Sequence, residues 1–61
     1  MRLLVYTEDE NGQKSLLSAE DVDCLKEAFD IAYDEWLAAE EAIHWSWGPK
    51  ETLALATGYF R

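Results

Sequence analysis

Seven apolar residues recur at alternating spacings of three and four: Val22, Leu25, Phe29, Ala32, Trp36, Ala39 and Ile43. That period matches one face of an α-helix and no face of a strand. Gly48-Pro49 makes a firm stop beyond the pattern, and Ser18 followed by Asp21 resembles a capping box before it. The sequence therefore predicts one amphipathic helix over 19–46, with those seven residues as its core or oligomer seam. At about 1.5 Å per residue such a helix is about 40 Å long, whereas a short strand spans only about 17–20 Å. One hairpin cannot cover that seam, so the C-terminal residues or a second copy must cover the rest.

Charge follows the same segment. Residues 19–47 hold nine of the thirteen carboxylates and one base, Lys26, and so carry the entire net charge of −8. Within it Glu20, Asp23, Glu27, Asp30 and Asp34 form a row roughly opposite the seam, and Glu41 lies two turns further on. Five carboxylates over about 21 Å give one per roughly 5 Å of helix axis, sparser than the phosphates of one DNA strand at about 3.4 Å. Like charges spaced i,i+4 destabilise an isolated helix by about 0.2–0.5 kcal/mol per pair. Such a row is a solvated outer face or a docking surface for a basic groove, including one that normally holds nucleic acid. Direct binding to nucleic acid or to an anionic membrane is disfavoured, since both need a basic face. A basic protein surface is the natural complement.

Outside the predicted helix the four acids and four bases sum to zero. Residues 2–17 read as a β-hairpin around Asn11-Gly12, a strong turn signal. Its alternating faces are Leu3, Val5 and Thr7 against Arg2, Leu4 and Tyr6, both with apolar weight. Residues 50–60 form a short C-terminal element. Pro49 as a first helical residue and Gly58 as a stop favour a helix there; alternation of Leu53 and Leu55 with alanines allows a third strand. The expected class is α+β, one small domain over 1–61, with the hairpin packed on the long helix. A domain this short buries only about 60% of its unfolded surface. With Cys24 as the one cysteine, no internal disulfide can support it. That points to a reducing compartment, and the apolar run Leu3–Tyr6 is too short for a signal peptide or a membrane span. The expected setting is the cytoplasm.

Chemistry-bearing constellations are few. Glu41-Ala-Ile-His44 matches the Glu-x-x-His ligand pair of di-iron bundles. Glu41 belongs to the outer acidic row, however, so His44 reads instead as a helix-end histidine interacting with the dipole. Cys24 lies among Glu20, Asp21, Asp23 and Glu27, which disfavour a thiolate. His44 would lie about 30 Å further along the same helix, so no nucleophile–base pair is available. Gly12, Gly48 and Gly58 form no phosphate loop. No catalysis, metal or cofactor is expected. Trp36 belongs to the seam. Trp45 and Trp47 diverge by about 200° on an ideal helix, so at least one is expected at an interface unless the helix has ended.

The order of a hairpin and then an acidic helix resembles small phage host-takeover inhibitors, including those of bacterial RNA polymerase. The likeness is one of layout and charge over about two-thirds of the chain. It implies inhibition of a nucleic-acid-handling enzyme through its basic groove. The expected partner-binding residues are Glu20, Asp23, Glu27, Asp30, Asp34, Glu41, Trp45 and Trp47. The alternative is a homo-oligomeric assembly protein paired through the seam, such as a homodimer, in which the acids only solubilise.

Overall fold

Strand patterning takes over from the helical seam at both ends of the acidic stretch. The computed structural model describes all 61 residues. It runs β1 (Arg2–Glu8), β2 (Lys14–Asp21), α1 (Leu25–Ala39), β3 (Ala42–Gly48) and β4 (Ala56–Phe60). The fold is α+β, one helix with a four-stranded antiparallel sheet in the order β2-β1-β3-β4. Both β2 and β3 run antiparallel to β1 between them, so α1 is a crossover that joins two mutually parallel strands. The helix lies chiefly over β3, with contacts to β1 and β4. The opposite sheet face carries no helix.

The first hairpin turns at Asn11-Gly12, as its sequence requires. Gly12 adopts a φ of 81°, which a side chain would oppose. The Asp9 carboxylate accepts the amides of Asn11 and Gln13, each at 2.9 Å, and locks the turn. Of the two candidate faces, Leu3 and Val5 enter the core and are fully buried. The strand β2 extends beyond the expected hairpin limit of 17, because Ser18–Asp21 pair with Val5–Arg2. Ser18 is therefore a strand residue and not a helix cap. A register shift between Val5 and Tyr6 leaves Leu17 as the extra residue of a β-bulge.

The helix is shorter than the 19–46 expected from its seam. It begins at Leu25, after Cys24, whose backbone is extended and whose side chain makes no capping bond. It ends before Glu40, which takes the left-handed conformation at φ 59°. That conformation costs about 1–2 kcal/mol at a non-glycine residue. The reversal lets Ile43, Trp45 and Trp47 enter the core on alternate positions of β3, and each large apolar side chain buried is worth about 1.5–3 kcal/mol. Burial outweighs the strain, so the chain turns where helix propensity would continue. The outcome also removes the mismatch in length. The fifteen residues of α1 span about 22 Å, close to about 23 Å for the seven residues of β3.

The C-terminal element is a strand and not the favoured short helix. β4 pairs with β3 from Trp47↔Ala56 to Ile43↔Phe60. A 49–55 turn leads into it, with the Leu55 amide donating to the Trp47 carbonyl at 2.8 Å. Helix-forming residues at 50–56 yield because β3 would otherwise present an unpaired row of backbone groups.

One core cluster results, from Leu3, Val5, Val22, Ala28, Ala32, Ile43, Trp45 and Trp47. The expected seam is thus divided among three elements. Val22 is buried in the loop before α1, Ala32 on the helix and Ile43 on β3. Trp36 and Ala39 pack against the cluster, while Leu25 and Phe29 are almost half exposed.

Candidate functional site

The helical period of α1 sets its charged face. Ala28 and Ala32 face the sheet, which places Glu27, Asp30 and Asp34 on the outward side. Those three stand together over about 10 Å of axis. The remaining members of the expected row do not continue it along one helix. Glu20 lies near the end of the edge strand β2, Asp23 in the following loop and Glu41 in the α1–β3 turn. The reason is the same early ending of the helix at both termini.

Partners within the chain differ across this surface. Lys26 bonds Asp30 at 2.9 Å, which holds the Lys26 ammonium above its ordinary pKa. The Met1 amino group bonds Asp23 at 2.8 Å and lowers the pKa of that carboxyl. Glu35 accepts the Ser18 hydroxyl at 2.8 Å, tying α1 to β2. Glu27, Asp34 and Glu41 have no such bond, and Glu40 is likewise free. The last turn of α1 contains no base. Glu40 and Glu41 follow it directly, where the helix dipole already presents partial negative charge. Arg61 is the one base beside them, lining the same groove as Trp36, Leu37, Glu40 and Glu41.

The tryptophans expected as partner anchors are core residues. Trp45 and Trp47 retain 6% and 8% exposure. On a strand, residues two apart share a face, which resolves the divergence expected of them on a helix. Trp47 donates from Nε1 to the Val22 carbonyl at 2.7 Å and pins the β2–α1 loop. Trp45 Nε1 is buried without a partner. Its indole lies on Gly58, directly opposite in the register.

His44 is not at a helix end. It occupies the open face of the sheet, where its Nε2 meets a Glu8 carboxylate oxygen at 2.8 Å. The Tyr59 hydroxyl donates to the other oxygen at 3.3 Å, and its ring lies over the imidazole at a centroid distance of 4.3 Å. The hydrogen bond to His44 lowers the Glu8 pKa, against the opposing effect of burial. Adjacent strands create this trio: β1 pairs Tyr6 with His44, and β4 pairs Tyr59 with it. No three His, Cys, Asp or Glu side chains converge as metal ligands. The trio links three strands, β1, β3 and β4.

A second surface was not anticipated. Leu25, Phe29, Tyr33 and Leu37 recur every four residues along α1, at 45%, 44%, 42% and 56% exposure; the first three lie on the flank nearest β4, and Leu37 turns toward Asp30 on the outward side. Phe60 of β4 meets Phe29, Tyr33 and Trp36 at centroid distances of 5.4–5.7 Å. The i,i+4 spacing of these four residues is visible in the sequence. It stands beside the stronger 3,4 seam and shares Leu25 and Phe29 with it. No helix is long and apolar enough to cross a membrane. No protein-family model matches the chain, and neither do characterised proteins or solved structures.

Proposed function

We propose that the protein is a non-catalytic binding module that docks its acidic side on a basic surface of a partner protein. Where that surface is the substrate groove of a nucleic-acid-handling enzyme, docking inhibits the enzyme by occupying it. The observation that carries the reading is the placement of charge. Glu27, Asp30 and Asp34 share the outward side of α1, and Glu40 and Glu41 extend the negative region past a last turn without a base. Across the molecule, the open sheet face carries Arg2 and Lys14 among its acids. The molecule therefore presents one negative side, suited to steering toward a basic partner. Trp45 and Trp47 are buried and supply no anchor to that contact.

The test is calorimetric titration into two purified probes, bacterial RNA polymerase core and cytochrome c as a generic basic protein. Affinity for the target should fall at least about tenfold between low and moderate salt, since exposed charges are screened over about 10 Å at 0.1 M. Asp30→Lys combined with Asp34→Lys should abolish it in a protein with an unchanged circular dichroism spectrum. Salt-independent binding, or full binding by that variant, would refute electrostatic docking, as would the absence of binding to both probes at low salt.

A further inference from the structure

We propose that the β4 edge and the adjacent flank of α1 form an interface with a second copy of this chain, related by a two-fold axis at Gly58. The inference goes beyond the acidic docking surface and does not depend on it.

The two edges of the sheet differ. β2 carries Lys14 at one end, Glu20 and Asp21 at the other, and a bulge at Leu17. Charges and bulges are the devices that keep an edge strand from pairing. β4, Ala56-Thr57-Gly58-Tyr59-Phe60, has no charge, no proline and no bulge. Its outer backbone groups are free to pair with another strand.

Self-pairing fits its sequence. An antiparallel β4–β4 contact centred on Gly58 sets Ala56 against Phe60 on the helix side and Thr57 against Tyr59 on the open side. Large residues meet small ones in both rows, and glycine meets glycine at the axis. A two-fold interface requires this self-complementarity. The same operation places the two helices side by side on one face of an eight-stranded sheet. Their apolar flanks then approach each other, each formed by Leu25, Phe29 and Tyr33.

Area and charge favour a second copy over a basic partner at this place. Those three side chains and Tyr59 leave about 350 Å² of largely apolar surface in water, taking aromatic side chains at about 150–250 Å² each. The paired strand edges bring the total near the lower end of stable dimers, about 600 Å² per subunit. Two bases adjoin the patch, Lys26 bound to Asp30 and Arg61 in the groove with Glu40 and Glu41, so the patch is nearly neutral in a chain of net charge −8. Two acidic molecules can meet here, whereas a basic partner gains more on the outward side of α1. Trp45, whose Nε1 is buried without a partner, lines the groove with Leu25, Phe29, Gly58 and Phe60 at the same edge.

Sedimentation equilibrium of the full chain over a range of concentrations, in low and high salt, tests the inference. The expected species has twice the chain mass, persists in high salt, and shows slowed amide exchange at Ala56–Phe60 as concentration rises. Tyr33→Lys and, separately, Leu25→Lys should each raise the dimer dissociation constant by about tenfold or more, as central contacts do at interfaces. Both sites are exposed, so the folded spectrum should remain. Asp34→Lys should leave the dimer intact, which separates this interface from the acidic docking face. A monomer at all concentrations, an open-ended polymer, or a dimer indifferent to both substitutions would overturn the proposal. An edge reserved for an extended segment of another protein would appear as the first of these.

Discussion

Gly58→Ala should destabilise the protein, and the reason lies in one contact. A Cβ built at Gly58 would stand 2.3 Å from Trp45 Nε1, 2.4 Å from Cε2 and 2.6 Å from Cζ2. These are atoms at the middle of an indole, and the ring cannot swing away freely. Phe29 stands edge-on to it at 6.1 Å, and the residue is buried. Overpacking of this kind costs about 1–3 kcal/mol. Replacing glycine also restricts the unfolded chain, which returns about 0.4–1 kcal/mol. The net loss is about 1–2 kcal/mol. In a domain of this size each kcal/mol moves Tm by about 4–8 °C, so the drop is roughly 4–16 °C. Thermal melts should be run at one fixed protein concentration, because association would shift Tm by mass action. Trp45→Phe supplies the control, since it removes Nε1 and the pyrrole ring that meets the new methyl. In that background Gly58→Ala should cost little, giving a coupling energy of about 1 kcal/mol or more. A Gly58→Ala protein as stable as its parent, or the same loss in both backgrounds, would refute the close-approach argument.

Further outcomes follow from contacts around the sheet. The Glu8 carboxyl is held below its ordinary pKa chiefly by the hydrogen bond to His44. Its stabilisation is therefore complete above the unfolded value, about 4.3, and disappears as pH falls through the lower folded value. Urea melts from pH 7 to pH 3 should show the parent losing stability over that acid range and Glu8→Gln losing less; parallel losses would show the pair to be inert. Trp47→Phe deletes the 2.7 Å bond to the Val22 carbonyl. Leaving that buried acceptor unpaired should cost about 1–3 kcal/mol, with faster amide exchange across the 22–24 loop; unchanged exchange there would contradict the pinning role.

The α+β class and the Asn11-Gly12 turn were legible in the chain because each rests on local chemistry. The limits of α1 were not. Ala38-Ala39-Glu40-Glu41-Ala42 is a run of strong helix formers, and Ile43 completes the 3,4 spacing by coincidence. The helix stops there because β1 offers a free edge at which Ile43, Trp45 and Trp47 can be buried, a tertiary effect that no local window contains. The alternation of His44 and Ser46 with those three residues was the available signal. So was the observation that two tryptophans two apart cannot both enter a core from a helix. The same override turned Ala56–Phe60 into a strand. For the candidate surfaces, Glu27, Asp30 and Asp34 remained together because they lie wholly within the true helix. Glu20, Asp23 and Glu41 separated from them because they lie outside it. The exposed flank through Tyr33 was hidden by a seam that borrowed Leu25 and Phe29.

The crossover in the sheet also dictates how the chain must assemble in time. Each outer strand is joined to its neighbour through a short local turn, β2 to β1 and β4 to β3, and each hairpin can close quickly on its own. The central pairing of β1 with β3 is different, since it brings Arg2 opposite Gly48 across nearly the whole chain. Closing so long a loop must precede any reward from the contacts it makes. Topologies dominated by such pairings fold in milliseconds to seconds, not microseconds. The expected slow event is the docking of the two hairpins along β1 and β3, with α1 closing over the seam as they meet. Leu3, Val5 and Ile43 lie on that seam, so shortening them should retard folding, whereas changes at the outer edge of β4 should act mainly by hastening unfolding.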